Sequence, residues 1–268
     1  MNDLRTITRG QLGKIEAAFL AKAGAHPTFG LAFARQVLRH TKDDPTSQFL
    51  ERLQSKGWVR RIRRGRFAVV PLSSGEDRSP QLHEFVVAME LVTPAVIAYW
   101  SALNHHGMTE QLPRTVFVAT GHPVRRQPGD VLGVSYKIVS LRQDKIFGVM
   151  KDWINEIPFS VTDREKTIID GLDLPQYVGG VSEIAKTLTA SWKVLDEKNL
   201  REYAAKIGNS AVTKRLGFMM ETFGLGDIET LRTEIPRAPG FSPLDPTMPK
   251  HGKYNRRWGL LINTEIQS

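Results

Sequence analysis

Cysteine is absent from all 268 positions of this chain. Zinc fingers, iron-sulfur clusters, structural disulfides and thiol nucleophiles are therefore excluded, and nothing points to an oxidising compartment. A membrane-spanning run is missing as well. The longest apolar stretch, Phe85 to Leu103, contains Glu90 and is interrupted at Thr93-Pro94, and a carboxylate at membrane depth costs roughly 2.5–3.5 kcal/mol. Two buried helices meeting at Thr93 explain that stretch better. Met1 to Gln11 lacks the apolar core of a signal peptide, so a cytoplasmic protein is expected. There is no G-x-S-x-G and no phosphate loop, and Gly179-Gly180 and Gly224-x-Gly226 lack the setting of a dinucleotide fingerprint. No cofactor is implied, and no internal repeat or low-complexity tract occurs.

What is present is a sufficient apolar complement, 41% of residues, and a formal net charge of +9. That charge is unevenly placed. Residues 1–70 carry 14 Lys/Arg against 5 Asp/Glu, whereas residues 71–268 carry 23 of each. An excess confined to one quarter of the chain is the electrostatic footprint of a polyanion-binding domain.

The pattern of that quarter is specific. Leu12, Ile15, Phe19 and Leu20 share one face of a helix running to Ala23, which Gly24 ends. A second helix is expected from Thr28 to about Arg39. Asp44 as N-cap, Pro45 in the first turn and Gly57 after the last predict a third helix from Pro45 to Lys56. Phe49, Leu50 and Leu53 give it a packing stripe, and Ser47, Gln48, Glu51, Arg52 and Ser55 face outward. Trp58 to Val70 then reads as a β-hairpin turning at Gly65, with Arg60, Arg61, Arg63, Arg64 and Arg66 at its tip. Three helices and an arginine-tipped hairpin are the order of a winged helix-turn-helix domain. In that geometry the first turn around Ser47 meets phosphate, Gln48 and Arg52 reach base edges, the five hairpin arginines meet phosphates or a narrow minor groove, and Ser55, Lys42 and Lys56 add contacts.

The segment 73–81 is rich in Ser, Gly, Asp and Pro and predicts a linker. It divides a winged helix at 1–72 from a second domain at 82–268. In the latter, helices are expected over His83–Val92, Pro94–His106, Ser182–Ser191, Asp196–Ile207 and Ala211–Phe223. Strands are expected at Thr115–Thr120, Val134–Leu141 and Ile157–Val161, with a last one around Arg257–Asn263. Thr162 to Glu165 has the form of a capping box ahead of a helix carrying Ile168, Ile169 and Leu172. The whole is predicted as α+β, a winged helix followed by a larger mixed α+β domain.

Along almost its full length the chain resembles the AbiEi antitoxin family of type IV toxin-antitoxin systems. The strings that carry the likeness are Gly57 to Ala68, Ser101 to Pro113, Thr115 to Thr120, Val161 to Asp170 and Lys214 to Glu221. The resemblance implies a repressor of its own operon that binds operator DNA, expected to hold inverted repeats. It further implies a C-terminal domain that counteracts a nucleotidyltransferase-like toxin encoded alongside. An alternative left open is a DNA-modifying or DNA-cleaving enzyme with a winged-helix reader.

Other candidate residues read more plainly. His105, His106 and His122 fit no metal spacing, since neighbouring helix positions point about 100° apart. Glu165, Lys166 and Asp170 resemble a nuclease set, but Glu165 is accounted for by the capping box. Lys214, Arg215 and Glu221 form either a surface ion-pair set or part of a partner surface.

Overall fold

The structure, a computed structural model, describes residues 10–74, 80–234 and 239–267. The N-terminal extension up to Arg9 and residues 75–79 of the expected linker lie outside the described residues. Mixed α+β architecture is observed throughout.

The chain divides into two compact units, Met1–Leu91 with Asp130–Val134, and Val92–Gly129 with Ser135–Ser268. The boundary therefore falls at Leu91/Val92, later than the linker at 73–81 and the domain start at 82 read from composition. Counted this way, the charge divides more evenly, +5 on the first unit and +4 on the second. The basic character is a local property of the hairpin rather than of a whole unit.

In the first unit the order is α1 (Lys14–Ala23), β1 (Phe29–Gly30), α2 (Leu31–Leu38), α3 (Asp43–Ser55), β2 (Val59–Arg63), β3 (Arg66–Val69) and α4 (Glu84–Leu91). The three strands pair antiparallel in the order β1-β3-β2. This succession is compatible with a winged arrangement. The core forms where the apolar stripes of the helices converge: Phe19 of α1 stands edge-on to Phe29 at 5.6 Å and to Phe49 of α3 at 5.3 Å, and Leu50, Leu53 and Val59 close around them. Edge-to-face rings at this spacing add about 0.5–1.5 kcal/mol beyond their burial. Ile15, expected in the same stripe, is 70% exposed.

Two local expectations shift. Lys42, in extended backbone, is the N-cap of α3, so Asp43 and Asp44 lie inside the first turn. The Thr46 hydroxyl packs inward on the Lys42 carbonyl at 3.3 Å and the His40 ring at 2.9 Å, which draws the helix start back from Pro45. The second helix begins only at Leu31, because Phe29 and Gly30 pair with Phe67 and Arg66 of β3.

After α4 come β4 (Val96–Ile97), α5 (Tyr99–His105), β5 (Thr115–Thr120), β6 (Gly129–Val131), β7 (Val134–Ser140), β8 (Val149–Ile154), β9 (Ile157–Thr162), α6 (Arg164–Asp173), α7 (Val181–Ser191), α8 (Glu197–Lys206), α9 (Ser210–Phe223), α10 (Ile228–Glu234), β10 (Ser242–Pro243), β11 (Lys253–Asn255) and β12 (Leu260–Ile262); apart from Asp130–Val134, which holds most of β6 and the first residue of β7, these make up the second unit. Its main strands run in the order β7-β5-β4-β9-β8. β5 and β7 are parallel in register Thr115↔Ser135 to Thr120↔Ser140; β8 and β9 form a hairpin whose turn residues Asn155 and Glu156 both have positive φ, as a two-residue type I′ turn requires. Helix α6 is buried along almost its whole length, with Ile168, Ile169 and Leu172 fully enclosed.

The helix expected from Pro94 to His106 is shortened. Val96 and Ile97 enter the sheet between β5 and β9, because two consecutive β-branched residues fit the centre of a sheet better than a helix interior. The capping box is also corrected: Asp163 caps α6 by accepting from the Lys166 amide at 2.7 Å, and Glu165 accepts instead from the Asp196 amide at 2.8 Å.

Candidate nucleic-acid interface

Helix α3 buries Thr46, Phe49, Leu50 and Leu53. The period of 3.6 then leaves Gln48, Glu51, Arg52 and Ser55 exposed and Ser47 half-buried. Gln48 and Arg52 are one turn apart on the same face. Arg52 leans on its own helix, its guanidinium 5.8 Å from the Phe49 ring centre, which pre-orients it. Ser55 turns its hydroxyl back to the Arg52 carbonyl at 2.9 Å and serves the helix end.

The start of α3 is a poor anion site. Asp43 and Asp44 are exposed in its first turn, and Asp43 pairs with Arg35 at 3.0 Å. Their carboxylates already complement the helix dipole and repel a phosphate that would approach Ser47.

Lys56 faces inward. Its ammonium lies 2.8 Å from both Glu16 oxygens and 3.1 Å from the Gln11 carbonyl. Burial raises the Glu16 carboxyl, but the Lys56 ammonium and the Gly13 amide reverse that and leave it below its ordinary value. The lysine therefore clamps α1 to the end of α3 rather than presenting a cation to solvent.

The hairpin shows why the arginines are not equivalent. A bulge between Arg61 and Arg63 breaks the alternation of β2, so Val59 and Ile62 both point inward while Arg60, Arg61 and Arg63 are exposed. A bulge re-aims side chains in this way. Gly65 takes φ +74 at the turn, and Arg64 beside it is exposed with no partner among the described residues. Arg66, by contrast, is paired with Glu90 of α4, Nε to Oε2 at 2.9 Å. The Thr28 hydroxyl donates to the other oxygen of Glu90, and Arg63 Nε donates to the Glu90 backbone carbonyl.

The ten residues proposed from sequence thus fall into groups. Arg60, Arg61 and Arg64 extend from one hairpin, and Gln48 and Arg52 from one helix face. Arg63 and Arg66 are tied to Glu90, Lys56 to Glu16, Ser55 to its own helix, and Ser47 is half-buried behind two aspartates. Sequence reasoning noted Glu90 only as a charge that a membrane would reject. A single acid in the otherwise apolar run Phe85 to Leu91, shortly after an arginine cluster, was the signal that could have paired it.

Elsewhere the candidate polar residues have structural partners. His105 is 2.8 Å from Asp152, and the His106 ring is 2.6 Å from the Thr162 carbonyl, with burial lowering its pKa. Among the described residues no three such side chains gather as metal ligands. Lys166 and Asp170 pair with each other inside the core. Lys214 and Arg215 are not surface charges: Lys214 Nζ donates to the Gly240 carbonyl at 3.0 Å, and Arg215 donates to the carbonyls of Leu172, Pro243 and Leu244. Glu221 accepts from the Trp258 indole and pairs with Arg257 at 2.6 Å. Together they fasten the C-terminal segment to α9.

No family model matches the chain, and no curated protein matches it. The solved structure of the RV2827C protein from Mycobacterium tuberculosis is similar in fold, with a TM-score of 0.69 at 11% identity, over 96% of this chain and 94% of that one.

Proposed function

We propose that the first unit binds double-stranded DNA as a winged helix-turn-helix module. α3 would present Gln48 and Arg52 to the major groove, and the β2–β3 hairpin would set Arg61 and Arg64 on the flanking backbone. The observation that carries this reading is the hairpin tip itself, where a bulge and a Gly65 turn expose arginine on a strand pair anchored by Val59 and Ile62. Exposed guanidinium groups on a rigid support suit phosphate, and Gln and Arg on a helix face suit adenine and guanine edges. The clustering of five arginines within residues 60–66 agrees with this.

In the second unit, the likeness to AbiEi antitoxins supports a role in counteracting a nucleotidyltransferase-like toxin while the first unit represses the shared operon. Membrane association is not part of the reading, and no described helix is long and apolar enough to span a bilayer. Footprinting of the intact chain on DNA upstream of its own coding sequence tests the first part. Co-expression with the adjacent toxin tests the second, and growth arrest unrelieved by soluble protein would contradict it.

A further inference from the structure

The exposure of Ile15 has a counterpart across the first unit. Ile15, Phe19 and Lys22 recur at helical spacing along α1; Phe19 is buried in the core, and Ile15 and Lys22 stand exposed on either side of it. With the exit of α2 and one side of α3 this face of α1 encloses a groove of about 620 Å³. Its accessible apolar lining comes from Ile15, Ala18, Val37, Leu38 and Pro45, over the buried rings of Phe19 and Phe49. Its rim is cationic: Lys22, Arg39 and Arg52 stand around it, and Lys22 and Arg39 have no partner among the described residues. The one acid on the wall, Glu16, is already neutralised by Lys56. Arg39 is held at the rim by a left-handed turn, φ +56, that ends α2.

We infer that this groove takes a small amphipathic anion, an apolar body ending in a carboxylate or sulfonate. The volume lies within the range of small-molecule sites, and an apolar lining with few charged groups is their usual composition. Ile15 and Lys22 are seven residues apart, roughly 10 Å of helix, which sets the length of the body. Three cations without an opposing free acid set the charge of its head. Gln48 and Arg52 are also wall residues of the groove, so an occupied groove withdraws both from DNA; this regulatory part rests on the DNA-binding reading above.

The test uses the full chain, with octanoate as probe and octan-1-ol as its neutral match, followed by amide chemical shifts and calorimetry. Octanoate is expected to bind saturably and to shift groove amides, with octanol weaker by about tenfold or more, the worth of one charge-assisted contact. Ile15→Glu and Arg39→Glu, both at exposed side chains, are each expected to weaken octanoate at least as much while melting like the parent. Equal binding of octanol, unshifted groove amides, or unchanged binding by both variants overturns the site. Octanoate is further expected to displace duplex DNA from the parent but not from Ile15→Glu. Saturable octanoate binding by a chain that binds no DNA would sink the DNA reading alone. DNA binding without octanoate binding would sink the groove alone.

Discussion

The Glu90 carboxylate on α4 lies 2.9 Å from the Arg66 guanidinium on β3, across 24 residues of sequence. It joins a helix assigned by composition to the second domain to the hairpin of the first. With Arg63 on the same residue's carbonyl and Thr28 on its side chain, Glu90 separates the arginines that hold the hairpin from those that face outward.

The first prediction follows from that separation. Arg61→Ala and Arg64→Ala should each flatten the dependence of log affinity on log salt by about 0.9, the value of one released counterion. Arg66→Ala should leave the slope nearly unchanged and lower stability by about 1 kcal/mol or less, since the pair is partly exposed. Anisotropy titrations on random duplex and thermal melts of the three variants check this; equal slopes losses across all three would contradict it.

A second prediction concerns where the first unit ends. Phe85, Val86 and Val87 of α4 are buried, and α4 packs on β2. Burying one such side chain contributes about 1.5–3 kcal/mol. A fragment of residues 1–91 should therefore unfold cooperatively at a higher temperature than one of residues 1–72. A shorter fragment as stable as the longer would place α4 outside the unit.

The fold was readable where local pattern decides. The β-branched run Thr115 to Thr120 is a strand with the expected limits, and α9 closes at Gly224 in the left-handed region. The hairpin was marked by Gly65. What escaped depended on distant partners. β8 is an edge strand whose Lys151-Asp152 pair hides any alternation. Val96-Ile97 is a strand only because β5 and β9 flank it. Lys214 and Arg215 look like surface charges until carbonyls from residues 240–244 and Leu172 meet them. In the candidate interface, residue types were legible but partners were not, so Lys56, Arg63 and Arg66 could not be told from Arg64.

The third prediction lies in the second core. Lys166 and Asp170 are a fully buried ion pair on α6, and burial pushes the Asp170 carboxyl up to about 6 against the opposing pull of Lys166. A folded-state pKa above the unfolded value means that the folded protein holds the extra proton. The stability Asp170 contributes is thus complete below about pH 4 and lost as pH rises through about 6. Lys166→Met removes the side-chain hydrogen-bond partner that this carboxylate has among the described residues and should destabilise by about 3–5 kcal/mol at pH 8. The loss should shrink at pH 5, where Asp170 is protonated, and Lys166→Met/Asp170→Leu should recover most of it. Denaturant titrations at the two pH values decide; a loss independent of pH would contradict the assignment.

The fourth concerns α9. A Cβ on Gly217 would stand 2.0 Å from the Trp258 ring, so Gly217→Ala must push the indole away. It should cost about 1–3 kcal/mol, as overpacking does, and Gly217→Ala/Trp258→Phe should regain part of that. An unchanged melting temperature in the single variant would mean that the C-terminal segment does not pack on α9 as described.

The central claim is DNA binding by the hairpin and the exposed face of α3. Its most direct measurement is a salt titration of duplex binding, upstream and random, for the intact chain and for Arg61→Glu/Arg64→Glu. With Arg52, Arg61 and Arg64 left to meet phosphate, log affinity should fall with log salt at a slope of roughly −3 on both duplexes. The charge-reversed variant should lose binding to both while melting like the parent. A chain that binds neither duplex at low salt, or a variant that binds as the parent does, would contradict the account.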